Sequence, residues 1–226
     1  MSEQNVLSRL AEGVWTASSP VRIVGMPLTT TMTVLGLEAG LLVHSPVPLT
    51  PQLRAALERL GDVAHLYAPN TMHHTWVGEW SAAYPSARVH APRALRRKRR
   101  DLEIHRAHGD GAELDPAIEE LPISGFRLEE STLFHRPSRS LVVTDLVHQI
   151  GRPAHLWTKI YATTMGFYDR VAVSAALRLG AFSDTRAARR SLDEVLRRPI
   201  ERIVVGHGTP ITSEPVAKLA AAYDWL

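Results

Sequence analysis

VAHLYAPNTMHHTWVGEW, residues 63 to 80, joins a strand to a histidine-bearing turn and a helix. Val63 to Tyr67 is a short run rich in β-branched and aromatic residues, which predicts a strand. Ala68-Pro69-Asn70-Thr71 then predicts a turn, because Pro cannot continue a central strand and Asn or Thr caps a helix. His73-His74 is expected to open an amphipathic helix that carries Trp76, Val77, Trp80 and Tyr84 on its apolar side. Histidines placed there lie at the mouth of an α/β layer, where ligands bind. Imidazole is a common metal ligand and equally an ordinary surface or core side chain. The pair alone decides nothing, so its meaning depends on what else reaches the same edge.

Upstream, Thr50 to Leu60 reads as a helix. Thr50 caps it, Pro51 takes its first position, Gly61 follows it, and Leu53, Leu57 and Leu60 face inward. Before it come a strand at Gly13 to Ala17, another at Thr31 to Leu37, a turn at Glu38-Ala39-Gly40, and Leu41 to His44. The last of these is apolar enough to be buried on both faces. The order is a meander followed by β-α-β-α, and no internal repeat or linker divides residues 1–226, which read as one domain.

Downstream, Ala87 to His90 predicts a strand. The run Arg93 to Arg100, RALRRKRR, has six cationic residues in eight and no aromatic residue to stack on a base. A solvated helix face explains it, offset by Asp101, Glu103, Asp110, Glu113 and Asp115. His105 to Gly111 reads as a turn, with no strand presenting its histidines to a site. Leu121 to Ser124, Ser131 to His135 and Leu141 to Thr144 predict short strands, the third ending in Asp145. His155 to Arg198 reads as mostly helical. Ile200 to Val205 predicts a last strand, running into Gly206-His207-Gly208, and a closing helix starts near Ser213.

Composition narrows the chemistry. The 226 residues include no cysteine, which excludes disulfides, thiolate zinc sites and cysteine nucleophiles. Twenty-six basic against 23 acidic side chains leave a modest net charge of +3. No apolar run approaches the roughly 18 residues of a membrane span. MSEQNVLSRLAEG lacks a basic-then-apolar signal pattern, and the expectation is a soluble, cytoplasmic protein.

Three apolar strands, VAHLY, SLVVT and RIVVG, thus end in metal-type residues: His73 and His74, Asp145, and His207. Asp145 could instead cap a helix and His207 could be a satisfied turn histidine, but neither reading explains a shared chemical type at three endings. Glycines on both sides of His207 allow close backbone approach. Three imidazoles and one carboxylate suit zinc, iron or manganese.

This order of strand, histidine loop, helix, strand-Asp and strand-Gly-His resembles the metallo-β-lactamase superfamily along nearly the whole chain. The resemblance implies a four-layer αββα sandwich and hydrolases that hold one or two metals through an HxHxDH motif. Glu129 to Asp145, EESTLFHRPSRSLVVTD, also resembles an uncharacterised branch of that superfamily, in which a Glu, a Phe-His pair, a Ser and a terminal Thr-Asp recur. Against HxHxDH, residues 69–74 read PNTMHH: Pro69 and Thr71 replace the first two histidines and His73 replaces the aspartate. The next family histidine has only Gly125-Phe126 as its counterpart. The ligands left are His73, His74, Asp145 and His207, for one divalent ion, zinc or iron, with manganese also suited.

The expected activity is a mononuclear metal-dependent hydrolase of a small ester or thioester. An inactive metal- or ligand-binding relative is the alternative. Nucleic-acid processing is weaker, since the nucleases of the superfamily need the two-metal site. Four protein ligands could close a tetrahedral shell and leave the metal structural. His148, three residues after Asp145, is either a base or an exposed loop histidine. Between Gly151 and Asp184, Trp157, Tyr161, Met165, Phe167 and Tyr168 either line a cleft or pack a core. Lys159 or Arg170 could there meet an anionic substrate.

Overall fold

The computed structural model describes residues 6–111, 113–153 and 155–226. Seven strands form the larger sheet in sequential order: β1 (Ser8–Ala11), β2 (Val14–Ile23), β3 (Met26–Leu37), β4 (Gly40–His44), β5 (Val63–Tyr67), β6 (Arg88–Ala91) and β7 (Arg106–Ala107). The smaller sheet has the order β11-β10-β9-β8, from β8 (Ile118–Pro122), β9 (Ser131–His135), β10 (Ser140–Val142) and β11 (Arg202–Val204). The helices are α1 (Pro51–Glu58), α2 (Val77–Ala83), α3 (Leu95–Lys98), α4 (Leu156–Thr164), α5 (Ala175–Gly180), α6 (Thr185–Leu196) and α7 (Pro215–Ala221). None of them is long and apolar enough to cross a membrane.

Strand periodicity builds the layers, because successive side chains point to opposite faces. In β4, Leu41 and Val43 face α1, α2 and α3 through Leu53, Leu57, Val77, Trp80 and Leu95. Leu42 of the same strand faces the other way, into an inter-sheet core with Val14, Leu35, Tyr67, Leu133, Val142 and Val204. Leu141 and Ile203 meet Leu192 and Val195 of α6 and Leu219 of α7 on the outer face of the small sheet. The result is helix, sheet, sheet, helix, the αββα sandwich expected.

Local chemistry fixes the details. Thr50 Oγ1 accepts from Leu53 N at 3.1 Å and Pro51 opens α1, as the sequence predicts. The β2–β3 hairpin runs much further than Ala17 and Thr31. It closes through Val24 and Gly25, both at positive φ (50° and 77°), as the two central residues of a tight hairpin turn require. Pro20 and Pro27 sit within its paired register, and prolines weaken the strand signal of residues 18–30, which the sequence leaves unassigned. His73-His74 does not open a helix: residues 71–76 are turn or bend, and α2 starts at Val77. His105 to Gly111 is not wholly a turn either, since Arg106–Ala107 pairs with β6 as an edge strand.

Three backbone hydrogen bonds tie the two sheets and their loops at one edge. Thr31 N donates to Gly206 O (2.9 Å), Ser131 N to Pro69 O (3.0 Å) and Thr71 N to Leu128 O (3.0 Å). That edge carries the site.

Candidate metal centre

β5, β10 and β11 each deliver one polar side chain to this edge: His73 from the loop after β5, Asp145 just beyond β10, and His207 just beyond β11. Their donor atoms all lie within 4.8 Å of one another. His73 Nε2 is 3.2 Å from His207 Nε2 and 3.6 Å from Asp145 Oδ2, and His207 Nε2 is 3.9 Å from Asp145 Oδ1. Two imidazole bonds of about 2.0–2.1 Å to one tetrahedral ion would span roughly 3.3–3.4 Å, close to the nitrogen spacing here. The donor set, two imidazole nitrogens and one carboxylate within reach of a common point, fits a divalent metal ion.

Outer contacts aim these donors. His207 Nδ1–H donates to the Thr29 carbonyl at 2.8 Å, which leaves the Nε2 lone pair facing the cluster. His73 Nδ1 meets Ser45 Oγ at 2.8 Å. Ser45 holds a left-handed φ of 52°, unusual for a residue with a Cβ, and this strained turn after β4 directs the hydroxyl at His73. Gly206 is required by crowding, since a Cβ there would lie 2.9 Å from Thr144 Cα and 3.2 Å from His73 Cε1. At Gly208, φ is 103° and a Cβ would meet the Gln149 carbonyl at 1.9 Å. The glycines around His207 therefore serve close approach, as their sequence position implied.

Two residues that sequence reasoning did not place at the site organise it. Asn70 Oδ1 accepts from Met72 N and His73 N, each at 2.8 Å, shaping the histidine loop. Its Nδ2 faces Asp145 Oδ2 (2.8 Å), Glu130 Oε2 (2.9 Å) and Thr144 Oγ1 (3.0 Å). Glu130 is almost fully buried and accepts from Thr144 N (2.8 Å), Asp145 N (2.9 Å) and Leu146 N (3.3 Å) as well. Burial and the neighbouring Asp145 push its pKa up, and the N–H donors work the other way. The Asn in APNT and the second Glu of EEST were the available signals, but they look like a helix cap and a surface acid.

Burial alone would raise the Asp145 pKa, yet the His73 imidazole beside it holds the carboxyl well below its usual range. Burial opposes charging of His73, but Asp145 and then Glu130 raise it above its ordinary value. His207 is lowered by burial and by His73. The cluster thus keeps an ionised carboxylate against imidazole nitrogens in a largely buried setting, where a bound cation would meet negative charge.

His74 is not brought to the cluster. Its Nδ1 faces Arg99 Nη1 at 3.1 Å, and Arg99 is itself held by Asp101 at 2.6 Å. In this turn the two side chains diverge, His73 towards His207 and Asp145 and His74 towards Arg99. The basic run is correspondingly more than a solvated face: Lys98 Nζ donates to Thr71 O at 2.9 Å, and Arg99 braces the His74 turn. His148 is buried rather than an exposed loop residue, with its ring centroid 5.8 Å from that of His207. Burial and His207 lower its pKa to about 4, so it is neutral at neutral pH. Phe126 stacks on Phe182 at 4.6 Å in the core, far from ligand duty.

The cluster forms the floor of a cavity of about 390 Å³ under the β2–β3 hairpin. Tyr161 and Phe167 line it, while Met165 and Tyr168 pack beside them, so the cleft and core readings of this segment both hold. Lys159 and Arg170 do not line it. Lys159 Nζ sits 5.9 Å from the Tyr168 ring centre and Arg170 Nε donates to Gly166 O at 2.6 Å.

The chain has the metallo-β-lactamase fold. DIM-1 metallo-β-lactamase superposes with a TM-score of 0.68 at 12% identity, covering 97% of this chain and 96% of that one. A diflavin flavoprotein fragment from Nostoc sp. PCC 7120 gives 0.68 at 12% identity, over 97% and 95%. FIM-1 from Pseudomonas aeruginosa in its mono-zinc form gives 0.63 at 11% identity, over 97% and 95%. No family model and no curated protein matches the sequence. Likeness at this identity carries the fold, and the chemistry must come from the residues.

Proposed function

We propose that the protein is a mononuclear metal-dependent hydrolase of a small ester or thioester. The observation that carries this reading is the convergence of His73, Asp145 and His207 without His74. Three protein ligands leave a position open, as catalytic rather than structural sites do. Two imidazoles and a carboxylate suit zinc or ferrous iron. His73, Asp145 and His207 would hold a divalent ion, which would supply Lewis acidity and lower the pKa of water towards about 7. The mono-zinc form of FIM-1 supports the single-ion stoichiometry on this fold.

The chain's own residues supply the rest. Thr29 and Ser45 fix the two imidazole planes, and Asn70 fixes Asp145 relative to the His73 loop. In this reading His148, which lines the cavity and is unprotonated at neutral pH, takes up a proton at the reacting face.

Titration with Zn²⁺ or Fe²⁺ is expected to saturate near one ion per chain. His73→Ala and His207→Ala should each weaken binding more than about 100-fold, beyond the 10–100-fold typical of outer-contact changes. His74→Ala should leave affinity unchanged, and an equal loss there would return His74 to the ligand set. Activity is tested by a panel of esters, thioesters, lactams and phosphodiesters with metal-loaded protein. Ester or thioester turnover should require the ion, rise with pH through neutrality, and fall at least about tenfold in His148→Gln. If nothing turns over while the ion still raises the melting temperature, the site binds metal without catalysis.

A further inference from the structure

The walls of the cavity are chemically one-sided. Ile23, Met26, Leu28, Leu128, Ile150 and Phe167 supply apolar surface, while the carboxylate and imidazole side chains, Asp145, His73, His148 and His207, gather in one cluster. The chain has 26 lysines and arginines, yet among the described residues none lines this cavity. The two cations nearest in sequence to its aromatic wall, Lys159 and Arg170, are held outside by Tyr168 and the Gly166 carbonyl. A carboxylate or phosphate on a substrate would be buried with no cation beyond the ion itself, which is costly.

Exposed apolar side chains adjoin lining residues along the chain, Val24 next to Ile23 and Ile160 next to Tyr161. Val24 at the hairpin tip is 66% exposed, and Trp157 and Ile160 of α4 are 44% and 49% exposed. Trp157 Nε1–H donates to Val24 O at 3.0 Å, fastening α4 to the hairpin. The volume lies at the small end of ligand pockets, which run roughly 300–1000 Å³.

We propose that the substrate is uncharged and carries an aliphatic chain, which fills this cavity and places its ester or thioester carbonyl over His73, Asp145 and His207. This rests on the hydrolase reading for the reacting group, while the chain-binding part stands on the cavity alone. Methyl alkyl ketones of roughly four to ten carbons are suitable probes, being neutral and not hydrolysable. Their affinity for the metal-loaded protein should rise about fourfold per added methylene until the cavity is filled. Ketones of equal length whose chain ends in a carboxylate, so that the charge lies in the apolar part and away from the ion, should bind at least about tenfold more weakly. Leu28→Arg, on the partly exposed hairpin arm, should flatten the chain-length dependence and narrow the gap between plain and carboxylate-ended ketones. Ile150→Trp, which fills the cavity without adding charge, should weaken only the longer ketones. Affinity independent of chain length, or carboxylate-ended ketones binding as tightly as plain ones, overturns the proposal. Chain-length-dependent ketone binding without ester turnover would remove the hydrolase reading and leave this one standing. Ester turnover indifferent to chain length would do the reverse.

Discussion

Glu130→Ala is expected to lower folding stability by roughly 3–5 kcal/mol, the largest effect of any single replacement near the site. The loss follows from what the carboxylate holds. Three successive backbone N–H groups, of Thr144, Asp145 and Leu146, and the Asn70 amide all donate to it, away from water. Truncation leaves these donors buried and unpaired, and it releases the turn that presents Asp145. Glu130→Gln should recover part of the loss, because one oxygen remains as an acceptor. The neighbouring Glu129→Ala is the control: that side chain is exposed and, among the described residues, accepts from Ala94 N, so the change should stay below about 1 kcal/mol. Urea denaturation of the variants decides the matter. Similar midpoints for Glu130→Ala and Glu129→Ala would show that the brace is not structural.

Acid should unfold the metal-free protein between about pH 4 and 5.5. Tyr67 is flanked by buried imidazoles, with His44 stacked at 5.6 Å and His108 at 4.5 Å between ring centres. His90 lies 6.2 Å from the same ring and pairs with His65 through a 2.9 Å nitrogen contact. Burial lowers the pKa of His44, His90 and His108 to about 3 each. Below an ordinary imidazole pKa of about 6.5, the unfolded chain binds protons that the folded chain refuses. Their contribution is therefore whole above that pH and shrinks as pH falls towards the folded values. At pH 5 the stability already lost through His44 and His90 alone is about 4 kcal/mol. His73, raised above its ordinary value, works in the opposite sense and recovers part of this. His44→Phe removes one of these groups while keeping a ring against Tyr67, and both His44 ring nitrogens are already unpartnered. The acid midpoint, followed by circular dichroism, should move lower in that variant. An unchanged midpoint would place the acid-labile groups elsewhere.

Much of this fold and site was legible in the sequence, for physical reasons that differ by residue. His207 between two glycines and Asp145 at the end of an apolar strand were readable, because strand ends and close approach leave local marks. The first helix was readable from Thr50 and Pro51. The direction of His74 was not, since strand and helix periods say nothing about a turn in which neighbours diverge. The burial of His148 was hidden because its cover, Phe167 and the segment around Ala172, comes from residues distant in sequence. Asn70 and Glu130 were hidden for the same reason: their partners are up to 75 residues away. The long β2–β3 arms were obscured by prolines that pair at hairpin positions where no N–H is needed.

The donor set also spans both sheets, since His73 belongs to the large sheet's side and Asp145 and His207 to the small one's. An ion there closes a chain loop of 134 residues between His73 and His207. Entropically it resembles a staple, which costs the unfolded chain more the longer the loop it closes. With an ion bound the two sheets could not part until a ligand let go, so metal loading should slow global unfolding and proteolytic nicking as well as raise the equilibrium stability. In a chain without cysteine, one reversible coordination bond set would do the work of a crosslink, and the lifetime of the fold would follow the residence time of the ion.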